Sequence, residues 1–64
     1  MKQQFNEMEI REIIARSLKA EGATDTDVAQ MKTVIDLGVK QVLKGVHDVC
    51  FVCAGITNWY LANW

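Results

Sequence analysis

The sequence predicts an all-α protein, and three observations carry the prediction. No proline occurs in the 64 residues, so no position forbids a helical hydrogen bond. Apolar side chains recur at steps of three and four along nearly the whole chain, the period of one helix face. The charges between them often stand four apart, close enough to pair across a helical turn.

The first element is "NEMEIREIIARSLKAEG", read as a helix over about residues 3–21 that ends at Gly22, the residue type favoured just past a helix end. Glu7, Glu9 and Glu12 come early and Arg16 and Lys19 late, as the macrodipole favours. Glu7 with Arg11 and Glu12 with Arg16 are spaced for ion pairs, each with the acid nearer the N-terminus, the better orientation. Ile10, Ile13, Ile14 and Leu18 make the buried face. Phe5 and Met8 lie off that stripe, so the first turn is expected to meet a second surface.

The second element starts at "ATDTDVAQ", where Thr24 and Asp27 have the spacing of a capping box. From there Val28, Met31, Ile35, Val39, Val42, Val46, Val49, Cys53, Ile56, Tyr60 and Trp64 stay on one face at about 100° per residue. The phase runs through Gly38 and Gly45. The expectation is therefore one long helix over about residues 26–63, folded back on the first as a two-helix hairpin. The alternative ends a helix at Lys44-Gly45 and starts another at Asp48, which gives a three-helix bundle.

Charge then says how such a hairpin must be covered. Lys32, Asp36, Lys40, Lys44, His47 and Asp48 share one side, with Asp36 and Lys40 spaced as a pair. After Asp48 there is no Asp, Glu, Lys, Arg or His. Phe51, Ala54, Gly55 and Asn58 continue the formerly charged side, and Val49, Val52, Ile56 and Tyr60 continue the core side. A helix apolar nearly all round must be buried on most sides. At 1.5 Å per residue the first helix spans about 28 Å and a continuous second one about 57 Å. The hairpin would leave Val49–Trp64 uncovered, and soluble monomers rarely expose so large an apolar patch.

The chain is thus read as a single helical domain, residues 1–64, in which 46–64 is an oligomerisation segment of a homo-oligomeric bundle. Val42, Gly45, Val46, Val49, Val52, Cys53, Ile56, Tyr60 and Trp64 are the expected interface. Gly38 and Gly45 would each cost about 1 kcal/mol relative to alanine inside a helix, and they suit a close backbone approach between helices.

One stretch, "VHDVCFVCAG", holds the only histidine and both cysteines. On a helix, His47 and Cys53 lie about 9 Å apart along the axis and about 120° around it. The two cannot join Cys50 on one zinc ion, whose ligand bonds are only about 2.0–2.3 Å long. Helical residues three apart have Cβ atoms about 5–6 Å apart, too far for a relaxed disulfide between Cys50 and Cys53, which wants about 3.5–4.5 Å. Both cysteines read as small buried hydrophobes. No cofactor and no metal is expected. The single histidine lacks an evident nucleophile, so no catalytic residue is assigned and the chain is read as non-enzymatic.

A formal net charge of −1 argues against a nucleic-acid partner, for which a basic face supplies most of the affinity. The polar opening "MKQQFNEMEI" does not read as a signal peptide, and reducing cytoplasm is the expected location. Lys40, Lys44, His47, Trp59 and Tyr60 are the candidate surface for a small ligand or another protein, because Trp and Tyr are enriched at binding hot spots. The functional expectation is a small interaction protein. Short chains without catalytic machinery are often regulators or inhibitors, including those encoded by phages and plasmids. The runner-up is a membrane-associated protein that inserts "VCFVCAGITNWYLANW", a stretch about four residues short of a typical span.

Overall fold

The structure, a computed structural model, describes residues 5–64. It is all-helical: α1 is Glu7–Ala20, α2 Asp25–Gln30, α3 Lys32–Leu43 and α4 Val49–Asn63. Three of the four helices begin at a side-chain cap. Asn6 and Glu9 form a capping box at α1, with Glu9 N donating to Asn6 Oδ1 at 2.8 Å and Asn6 N to Glu9 Oε1 at 3.2 Å. Thr24 and Asp27 do the same at α2. At α4, Phe51 N donates to Asp48 Oδ1 at 2.7 Å. Each such cap satisfies orphan N–H groups and stabilises its helix by about 1 kcal/mol.

The single helix expected over 26–63 is not formed. It is interrupted at Met31, one non-helical residue between α2 and α3, and it ends at Lys44. Gly45 then takes φ +75°, which reverses the chain before Asp48 starts α4. A residue with a Cβ disfavours this left-handed backbone, whereas glycine adopts it freely. The break at Gly45 with Asp48 as the cap is the three-helix alternative, with α2 as a short added helix. The apolar phase survives the reversal because α3 and α4 both face α1, and periodicity records which side chains point inward rather than which way the axis runs.

Ile10, Ile14 and Leu18 of α1 are fully buried. Met31, Ile35, Gly38 and Val39 cover them from the α2–α3 side, and Val52, Cys53, Ile56 and Tyr60 from α4. α3 and α4 pack tightly at Gly38, where a Cβ would lie 2.6 Å from Val52 Cγ1 and 2.8 Å from Ile56 Cδ1. Phe5, Ile13, Val28, Val34, Val42 and Val49 are partly buried around this core.

The ion pairs follow the helical spacing in part. Glu7 and Arg11 are 3.8 Å apart and Glu12 and Arg16 3.9 Å. Asp36, expected to pair with Lys40 along α3, instead meets Arg11 of α1 and ties the two helices together. Lys19 Nζ lies 2.6 Å from Asp25 Oδ1 across the α1–α2 turn and holds that carboxyl below its usual range.

Candidate interaction surface

The reversal at Gly45 changes what covers α4. Four residues expected to be buried by other copies (Val52, Cys53, Ile56 and Tyr60) are buried within the chain itself, against α1 and α3. Val42 and Val49 are partly buried, while Gly45, Val46 and Trp64 are exposed. Residues 49–64 would be uncovered only on a helix that runs straight past α1, and this one folds back beside it.

That burial accounts for one side of α4. The other side carries Phe51, Ala54, Gly55, Asn58, Leu61 and Ala62, all exposed. Their spacing of three, one, three, three and one is that of a second helical seam. Phe51 is 61% and Leu61 56% exposed, with Trp59 beside the seam at 40%. Leu43 and Val46, 52% and 60% exposed, add apolar surface just before the helix. A typical water-facing side of a helix would carry charge, and this one has no Asp, Glu, Lys, Arg or His after Asp48.

Gly55 is the one glycine that nothing inside the chain explains. Gly22 and Gly45 have positive φ, and Gly38 sits against Val52 and Ile56. Gly55 has a negative φ in mid-helix, and a Cβ there would meet nothing within 4 Å.

The residues expected to form a ligand surface do not come together. Lys40 and Lys44 are exposed at the end of α3. His47, in the following turn, stacks on Phe51 with ring centroids 4.4 Å apart. Trp59 and Tyr60 lie about 12–14 Å beyond Phe51 along α4, where both pack on Trp64. The Trp59–Trp64 and Tyr60–Trp64 centroid distances are 6.2 and 5.5 Å. Rings this close touch one another and leave no room for a ligand between them.

The aromatic end is instead held by Asp27, which also closes the capping box of α2. Tyr60 Oη donates to Asp27 Oδ2 at 3.2 Å and Trp64 Nε1 to Asp27 Oδ1 at 3.0 Å. The Thr24 backbone N–H, together with the Trp64 and Tyr60 donors, holds the Asp27 carboxyl below its ordinary range. Burial of its ring, with Asp27 alongside, pushes the Tyr60 hydroxyl up.

The three residues of the histidine–cysteine stretch face different surroundings. Cys50 is exposed, and Cys53 is buried with its thiol pushed up by burial. No group of three or more His, Cys, Asp or Glu among the described residues is placed to hold a metal ion. A groove of about 640 Å³ lies between α1, α2 and α3, with Ala15, Val28, Ala29 and Ile35 as its apolar lining and Arg11, Glu12 and Lys32 as its charged members. It includes no residue of α4. Among the described residues no helix is long and apolar enough to cross a membrane.

Comparison of the chain with protein-family models, with curated proteins and with solved structures finds no match to any of them.

Proposed function

We propose that the chain is a small non-enzymatic interaction protein, a regulator or inhibitor in kind, whose working surface is the outer face of α4. One observation carries the reading: α4 has no charged side chain, yet its own bundle covers only the Val52–Cys53–Ile56–Tyr60 side. A helix apolar on both sides is stable in water when both sides are covered. A polypeptide suits the second side better than a lipid surface. Interfacial helices use lysine and arginine on their polar face to hold anionic lipid, and α4 has neither.

The test is Leu61→Glu, at a position exposed enough to take a charge without entering the core. Solution mass and fluorescence of an anilinonaphthalene dye are compared for the two proteins. The wild-type chain is expected to self-associate or to bind the dye. The variant is expected to do neither, with its helical circular dichroism intact. A wild-type chain that neither associates nor binds the dye refutes the reading.

A further inference from the structure

Resting on that reading, we infer that the occupant of the outer face of α4 is a second copy of this chain, its α4 laid antiparallel across the first and crossing at Gly55–Asn58. The area fits a pair. A 15-residue helix is about 22 Å long and 10–12 Å across, so its outer half presents about 400 Å². Two copies would bury about 800 Å² in total, in the range of weak, transient interfaces. The pair is therefore a reversible dimer rather than an obligate one.

Electrostatics favours self over other partners. Residues 49–64 include no Asp, Glu, Lys, Arg or His, so two copies meet without like charged side chains facing each other. A partner bearing a charged docking face would have to desolvate those charges with nothing opposite to pair them. Antiparallel placement sets the two helix dipoles in opposition, the favourable order for neighbouring helices.

Shape sets the crossing point. The seam runs from Phe51 to Ala62, and its midpoint falls between Gly55 and Asn58, two residues flanked by Ala54 on one side and Leu61 and Ala62 on the other. A two-fold axis there sets the bulky Phe51 of one copy over Ala62 of its partner, and Gly55 opposite Asn58. The backbones approach most closely where the side chains are smallest. Gly55, unexplained inside the chain, then has the role in the pair that Gly38 has in the bundle.

Sedimentation equilibrium from about 1 µM to about 1 mM, spanning the range of weak specific complexes, tests the pair. The mass is expected to rise from 7.2 kDa to twice that value. Gly55→Leu and Phe51→Glu are expected to hold it at the monomer value over the whole range. Neither position is enclosed within the chain. Replacing a mid-helix glycine raises the melting temperature of the isolated bundle by about 4–8 °C, so loss of the dimer by Gly55→Leu cannot be mistaken for unfolding. In a Cys50→Ser background, Asn58→Cys is expected to form an intermolecular disulfide on oxidation and Phe51→Cys is not. Cross-linking of both, or of Phe51→Cys alone, overturns the antiparallel order. A wild-type chain that stays monomeric throughout, or that forms trimers or larger species, overturns the pair. If that monomer still binds the dye at its outer face, the interaction reading stands and only the identity of the partner falls.

Discussion

Gly38→Ala isolates the contact that sets the spacing of α3 and α4. The added Cβ would lie 2.6 Å from Val52 Cγ1 and 2.8 Å from Ile56 Cδ1, against about 3.5–4.0 Å for an unstrained carbon pair. About 1 Å of movement is needed. Ile56 can swing its terminal methyl away, but Val52 branches at Cβ and holds a single rotamer on a helix, so the helices themselves must part. Overpacking of this kind costs about 1–3 kcal/mol, and the stiff neighbour places it in the upper half of that range. Alanine returns about 1 kcal/mol through its better helix propensity. The expected net loss is about 1.5 kcal/mol, a melting temperature lower by roughly 10 °C. A 64-residue domain has only about 3–10 kcal/mol in all, so the change is well within reach of thermal and urea melts followed by far-UV circular dichroism. Adding Val52→Ala should relieve the clash and give a favourable coupling of about 1 kcal/mol in a double-mutant cycle. A Gly38→Ala protein as stable as wild type or more so, or zero coupling to Val52, would refute the close approach.

Gly45→Ala places a Cβ on a backbone at φ +75° and should destabilise the fold by about 1–2 kcal/mol, read as a lower urea midpoint. Asp27 has a folded pKa below its ordinary 3.8, so the stability it contributes is present above about pH 4 and is lost as pH falls through the lowered value. A thermal-melt series from pH 6 to 2 should show that decline, and Asp27→Asn should flatten it while altering Trp64 fluorescence at neutral pH. A thiol reagent under native conditions should modify Cys50 at once and Cys53 only at the rate of unfolding, giving one fast and one slow equivalent by absorbance.

Much of the fold is legible in the sequence. Ile10, Ile14 and Leu18, the Gly22 stop, the Thr24–Asp27 cap and the Glu7–Arg11 pair all depend on residues within one or two helical turns of each other, where spacing alone decides the outcome. The reversal at Gly45 was legible only as an alternative. An apolar stripe encodes which side chains face inward, and it reads the same for a straight helix and for one folded back on a common core. The Arg11–Asp36 pair and the tie from Asp27 to Tyr60 and Trp64 join residues 25 to 37 positions apart, and no local rule links them. The outer seam of α4 was visible as the end of charge after Asp48. Which apolar side lay inside the chain and which lay outside depended on the direction of the turn.

The turn at Gly45 also separates two properties that usually travel together. Side chains decide what is buried, but one backbone dihedral decides where in the chain the covering helix comes from. An arm carrying α4, opened at residue 45, would present the same Val52, Cys53, Ile56 and Tyr60 to the α1–α3 cleft of a neighbour as to its own. The left-handed backbone of Gly45 and the Asp48 cap turn α4 back onto its own α1 and α3, and a substitution that straightened this turn would favour an exchange of helices between two copies.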